Sequence, residues 1–189
     1  MWCEERLSRT SGSSYQPLNT ITSLFLILAA YVVADRERNY AVAMVITGVG
    51  SVLFHAWPCM ATRLLDELGI VAIVVLYIGG LDISNNSIVF FRNCIASVLL
   101  VVCLILPQHA CVVLLCVAIV ITIFDKRLSR RSRLSGAGAA LVWVLDSVVC
   151  PITTFDSAVL TFHAIWHAAV SMAFVSFVVD ITATATKQK

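Results

Sequence analysis

Five polar residues stand out because they fall within otherwise apolar stretches of the sequence: Ser51, His55, Asp66, His163 and His167. His163 and His167 are four residues apart, a spacing that places two side chains on one face of a helix. Ser51 and His55 are spaced in the same way. Two histidines at this spacing can bind one metal ion, and three imidazoles with an open fourth position are the ligand set of a catalytic zinc site.

The chemistry predicted from this set is hydrolysis of an amide or ester. Zinc lowers the pKa of a bound water to about 7 and polarises a carbonyl. Asp66 could take the proton from that water and pass it to the leaving group. Ser51 could donate a hydrogen bond to the oxyanion of a tetrahedral intermediate. The alternative is structural, because a histidine in a spanning helix often hydrogen-bonds a neighbouring helix.

The elements that must position these residues are predicted to be membrane-spanning helices. The chain has 189 residues, of which 60% are hydrophobic and 13% charged, which excludes a disordered chain and an ordinary soluble enzyme. A spanning helix needs about 20 mostly apolar residues, and helices are the default structure in lipid. We therefore expect an all-α, seven-transmembrane helical bundle with spans at 20–34, 40–58, 64–81, 88–106, 110–124, 138–153 and 158–181.

The predicted organisation is a polar arm over residues 1–19, one seven-span domain over 20–183 and a short tail over 184–189. Three basic residues of the loops and ends fall on the N-terminal side of this topology and nine on the other side. The richer side should be cytosolic, so we expect the N-terminus outside or lumenal and the C-terminus cytosolic. The five polar residues then share one level, in the outer part of the membrane.

A signal peptide is an alternative interpretation of the first span, because Arg6 and Arg9 precede it. The long leading arm with Glu4 and Glu5 argues against that alternative. The expected location is a multi-pass position in a membrane, either a bacterial inner membrane or, in a eukaryote, the ER or Golgi.

The order and spacing of these motifs resemble the alkaline ceramidases. This family belongs to a wider superfamily of seven-span hydrolases that also includes the progestin and adiponectin receptors. The resemblance covers most of the chain. Its motifs are Gly50-Ser51-Val52-Leu53-Phe54-His55, Asp66-Glu67, His163-Ala164-Ile165-Trp166-His167, Trp143-x-x-Asp146-x-x-x-Cys150, Trp2-Cys3-Glu4-Glu5 and Tyr15-Gln16-Pro17-Leu18-Asn19-Thr20.

The resemblance implies zinc-dependent hydrolysis of the ceramide amide to a sphingoid base and a free fatty acid. It implies that His55, His163 and His167 are the zinc ligands and that Asp66 and Ser51 are catalytic. It also implies that Trp166 lines the lipid pocket and binds substrate. The short loops resemble a compact, bacterial type of member.

The resemblance further implies a calcium site in the N-terminal arm. Trp2, Glu4 and Glu5 match the residues of that site. Met1, Arg6 and Gln16 depart from the acidic and amide residues expected there, and calcium prefers several carboxylate and carbonyl oxygens. These departures argue against Ca²⁺ as a cofactor beside Zn²⁺.

Two other functions stay open at this point. A receptor-like member of the superfamily would bind lipid with little turnover, but the basic-residue count disfavours its inside N-terminus. A transporter or channel could use Asp66, Glu67 and the histidines as a proton path, but such proteins often contain internal repeats, and this sequence has none.

The remaining polar and sulfur residues support smaller expectations. A Cys3–Cys150 disulfide could form on the outer side if that side is oxidising. Asp180 should mark a helix end near the cytosolic exit, and pairing of Arg92 with Asp146 is disfavoured by their depths. Four cysteines are expected to be small buried hydrophobes: Cys94, Cys103, Cys111 and Cys116.

Overall fold

The computed structural model describes residues 16–79, 127–152 and 156–187, together with positions 94, 97–99, 101, 105, 113, 116–117, 119–120 and 125. These residues are helical apart from short turns, and no strand occurs among them, so the all-α prediction is confirmed for this part of the chain. The helices are α1 (Pro17–Thr22), α2 (Leu24–Val33), α3 (Arg38–Ala56), α4 (Met60–Gly79), α5 (Arg130–Ile152) and α6 (Asp156–Lys187).

Several helix ends differ from the predicted spans. The first span is divided at Ser23 into α1 and α2, and α1 begins at Pro17, where the fixed backbone angle of proline suits a first helical turn. Helix α5 begins at Arg130 rather than at 138, and α6 continues to Lys187 through most of the predicted tail. Predicted spans 88–106 and 110–124 lie almost wholly outside the described residues.

Within the part of the chain that the structure describes, two helical segments are long and apolar enough to cross a membrane, namely Arg38–Ala56 and Phe162–Thr184. Pro17–Val33 is a shorter apolar stretch. Large apolar side chains on these segments point outward, including Tyr31, Leu28 and Met172. Apolar side chains exposed along helices of this length suit contact with lipid. The surface therefore agrees with association with a membrane.

The core that supports the site lies between α2, α3, α4 and α6. Val33, Met44 and Val178 are fully buried at its centre. Small residues allow α3 and α4 to approach closely: a Cβ added at Gly50 would lie 2.6 Å from the backbone nitrogen of Asp66. Small residues are common where spanning helices pack.

A cluster of polar contacts lies at the end of the bundle opposite the histidines. Asp125 accepts hydrogen bonds from the Tyr77 hydroxyl and from Arg127, whose Nη2 lies 2.6 Å from Oδ2. Asp180 accepts a hydrogen bond from the backbone N–H of Ser129 at 2.6 Å, just before α5 begins. The prediction that Asp180 marks a helix end is wrong for α6, because this helix continues to Lys187. The Asp180 carboxylate instead binds at the start of α5, where helix N–H groups need acceptors.

The cysteine predictions have mixed outcomes. Cys94 and Cys116 are exposed, so the prediction that they are buried is wrong, because an apolar side chain in a spanning helix can face lipid as easily as the protein interior. Other sequence predictions lie outside the described residues: Cys103, Cys111, the Cys3–Cys150 pair, Arg92, and the calcium residues Trp2, Glu4 and Glu5.

Candidate metal centre

Three histidine side chains meet in the interior, as their spacing and depth predict. His55 lies in the last turn of α3, and His163 and His167 lie one turn apart on α6. Their potential ligand atoms all lie within 4.8 Å of one another. The side chains are buried, and His167 is 0% exposed. Three buried imidazoles at this separation could hold a metal ion.

Each imidazole has its Nδ1 in contact with an oxygen from another part of the chain. His55 Nδ1 lies 3.0 Å from Gln16 Oε1. His163 Nδ1 lies 3.0 Å from Asp146 Oδ2. The third contact is from His167 Nδ1 to the hydroxyl oxygen of Thr22, also 3.0 Å.

The surroundings of these oxygens indicate that they accept from the rings. The oxygen of Gln16 also accepts from the Asn19 amide at 3.1 Å. The Thr22 hydroxyl donates to a backbone carbonyl, that of Leu18 at 2.9 Å or Asn19 at 3.2 Å, which leaves its lone pairs for the imidazole. A carboxylate such as Asp146 is an acceptor only. Each ring therefore carries its hydrogen on Nδ1, and Nε2 is the nitrogen suited to a metal.

Ser51 lies at the edge of the triad. It is one turn before His55 on α3, and its Oγ lies 3.5 Å from Nε2 of His167. Ser23, at the junction of α1 and α2, donates to the same Oγ at 3.0 Å. Both serines are buried. The hydroxyl of Ser51 is thus held beside the nitrogen that would bind a metal.

A mainly apolar cavity of about 100 Å³ adjoins Ser51. Asp66 lines the same cavity, so the structure brings the predicted carboxylate and hydroxyl to one cavity. The cavity extends along the bundle, where its lining includes Trp143, Trp166 and Phe174. The ring of Trp166 lies 5.4 Å from the rings of both His163 and His167.

Glu67 is not among the residues that line this cavity. It is buried and forms an ion pair with Arg63 at 2.8 Å, one turn earlier on α4. A proton path through Asp66, Glu67 and the histidines therefore gains no support from the geometry.

The sequence interpretation missed the three oxygens that contact the histidines. In the sequence, Gln16 belongs to the Tyr15–Thr20 motif and departs from a calcium site, and Asp146 belongs to the Trp143–Cys150 motif and is a partner considered for Arg92. Neither of these predicts contact with a histidine. The sequence does contain a sign of their role, because an amide and a carboxylate lie in or beside apolar segments, where polar groups need partners. Thr22 carries no such signal, because threonine is common in spanning helices.

The donor set fits a zinc ion. Neutral imidazole is a usual zinc ligand, and metal-binding histidines almost always donate their other N–H to a carboxylate, carbonyl or similar acceptor. All three rings have that second contact here. Calcium and magnesium prefer oxygen ligands, so three nitrogen donors in apolar surroundings do not suit either ion.

Fold and site together define an α-helical protein with apolar, membrane-compatible helices and a buried three-histidine centre. The family model for ceramidase matches residues 1–189, so the chain belongs to the ceramidase family. The resemblance found in the motifs is thereby confirmed, and membership indicates a hydrolase that acts on ceramide. A search of curated proteins finds none that matches this chain.

Proposed function

We propose that this protein is a zinc-dependent amidase that works within the membrane. It cleaves ceramide-like sphingolipids to a sphingoid base and a free fatty acid. The observation that carries the proposal is the buried triad of His55, His163 and His167, in which every Nδ1 contacts an acceptor. The full protein would be a seven-span bundle, with its N-terminus outside or lumenal, its C-terminus cytosolic and the site near the outer face.

The three histidines would hold the metal through Nε2. The chemistry that zinc supplies when bound is a water with a pKa near 7 and a polarised carbonyl. Asp66 takes the proton released when the oxygen of water adds to the amide carbon, and gives it to the nitrogen as the carbon–nitrogen bond breaks. Ser51 donates to the oxygen on which negative charge develops. The products are a carboxylic acid and an amine.

The substrate is proposed to enter with a hydrocarbon chain in the apolar cavity. Ser51 and Asp66 supply polar groups to the cavity lining, and Trp143, Trp166 and Phe174 supply aromatic rings. An amide at the polar end and a chain along the aromatic walls match the two chemical parts of a ceramide. Trp166 would contact the chain close to the reacting carbonyl.

The test is to incubate the purified protein with a panel of ceramides and to identify the products by mass spectrometry. We expect about one zinc per chain, hydrolysis that a chelator abolishes, and recovery when zinc is restored. His163→Ala should lose both metal and turnover. His109→Ala is the matched control, since it removes the one histidine of the sequence outside the triad, and it should retain both.

Three outcomes would separate the possible functions. Hydrolysis that survives metal removal, or a fully active His163→Ala variant, would refute the zinc mechanism. Tight ceramide binding without turnover would favour the receptor-like alternative. Release of products from ceramide but not from matched ester lipids would confirm the amide as the substrate bond.

A further inference from the structure

The oxygens that contact the three histidines come from separate parts of the fold. Gln16 precedes α1, Thr22 ends α1, and Asp146 lies in α5. The histidines themselves lie on α3 and α6. The triad therefore depends on four helices and on the residue before α1, although only two helices carry the ligands.

We propose that Gln16, Thr22 and Asp146 are positioning residues for the metal, an inference that rests on the proposed function. Each holds the hydrogen of one imidazole on Nδ1 and fixes the rotation of that ring, so that Nε2 faces the metal. Free imidazole exchanges this hydrogen between its two nitrogens. A ring with the wrong nitrogen protonated cannot bind, so the three contacts preorganise the ligand set.

Gln16 is itself fixed at two points on the same histidine. Its side chain meets the His55 ring at 3.0 Å, and its backbone N–H donates to the His55 carbonyl at 3.0 Å. Its own carbonyl accepts from the Thr20 hydroxyl at 2.8 Å. Gln16 is also buried. It thus ties the start of α1 to the end of α3, and a turn of the ring would break the contact between Nδ1 and Oε1.

Asp146 differs from the other two partners because it is an acid. It is buried, and its Oδ2 accepts from His163, whereas Oδ1 has no hydrogen-bond partner in the described part of the chain. A carboxylate behind a ligand histidine raises the basicity of the ring and offsets the charge of the ion. We therefore expect Asp146 to contribute most to metal affinity and the two neutral oxygens to contribute less.

The experiment measures zinc affinity by competition with a chromophoric chelator, together with the visible spectrum of the cobalt-substituted protein. Asp146→Ala should weaken zinc binding by about 10–100-fold, and Asp146→Asn by less, because an amide oxygen still accepts. Thr22→Val removes one acceptor at constant shape and should weaken binding by about 10-fold. Thr22→Ser keeps the hydroxyl and should restore affinity and spectrum.

Thr184→Val is the matched control, since among the described residues Thr184 bonds its own helix, at the carbonyl of Asp180. It should bind zinc as the unaltered protein does. If Thr22→Val and Asp146→Asn both bind zinc within twofold of the unaltered protein and leave the cobalt spectrum unchanged, the positioning role is wrong. If the unaltered protein binds no zinc, the positioning role and the zinc mechanism fail together, whereas zinc binding without ceramide hydrolysis overturns only the proposed reaction.

Discussion

Replacement of Gly50 by alanine should uncouple the catalytic groups from the metal ligands. Helices α3 and α4 pass each other at this glycine with no side chain between them. An added Cβ would lie 2.6 Å from the backbone nitrogen and 2.8 Å from the Cα of Asp66. Backbone atoms cannot rotate out of the way, so the two helices must move apart.

The size of the movement follows from the contact distances. Ordinary contact of a Cβ begins at 3.4 Å, so the helices must separate by about 0.8 Å, the difference between that value and 2.6 Å. Ser51 follows Gly50 on α3, and Asp66 is the residue displaced on α4. A misplacement of about 1 Å can reduce a rate about 100-fold, and overpacking costs about 1–3 kcal/mol of stability.

We expect Gly50→Ala to lower kcat by about 100-fold while zinc binding changes little, because none of the three histidines lies on α4. The assay pairs ceramide hydrolysis with zinc content and a thermal melt. Gly138→Ala is the control: its added Cβ meets no described residue within 4 Å, and alanine is favoured over glycine in a helix by about 1 kcal/mol. If Gly50→Ala is as active as Gly138→Ala, the close approach does not position Asp66.

Two further predictions concern the inner half of the bundle. Phe177 lines both the cavity beside Ser51 and a second cavity of about 40 Å³. Phe177→Ala should therefore join the two cavities and raise kcat/KM for long acyl chains relative to short ones. An unchanged ratio of kcat/KM values across a panel of chain lengths would contradict this. Burial of Asp125 opposes ionisation, but hydrogen bonds from Arg127 and Tyr77 outweigh it and hold the pKa of Asp125 below its usual value. A carboxyl whose pKa is lowered in the folded state stabilises the fold at pH values above its unfolded pKa, and this stabilisation is lost as the pH falls through the folded pKa. The melting temperatures of the unaltered protein and Asp125→Asn should therefore differ at neutral pH and converge in acid. A constant difference would refute the stabilising role of Asp125.

The sequence predicts the ligands well because their signals are local. Helical periodicity alone places His163 and His167 on one face. The depth of His55 follows from where its apolar stretch begins and from the distribution of basic residues. Neither signal requires knowledge of which helices touch, and the structure brings all three rings together.

The positioning oxygens could not be predicted in this way. Thr22 and His167 are 145 residues apart in the chain, and no periodicity relates them. Gln16 departs from the calcium pattern that its neighbours in the sequence resemble, yet its side chain contacts His55 on α3. Contacts of this kind depend on helix packing, which a single sequence does not encode in any local pattern.

Helix ends were mispredicted for a different physical reason. Hydropathy detects where a helix enters an apolar medium, not where its hydrogen bonds begin. Helix α5 starts at Arg130, eight residues before its apolar stretch, because the Ser129 hydroxyl accepts from the N–H of Ser132 at 3.2 Å and Asp180 accepts from that of Ser129. Such capping sustains a helix through charged residues outside the membrane.

The composition of the centre favours catalysis over a structural metal site. Structural zinc sites are closed by four protein ligands, whereas catalytic sites use three and keep one position open. Within the described residues the metal-type cluster contains only the three histidines, and the neighbouring Ser51 faces the apolar cavity. Two carboxylates lie near the centre, because Asp146 contacts His163 and Asp66 lines the adjoining cavity. Beside an apolar cavity, a bound ion and the Ser51 hydroxyl would stabilise a developing oxyanion more strongly than they would in water.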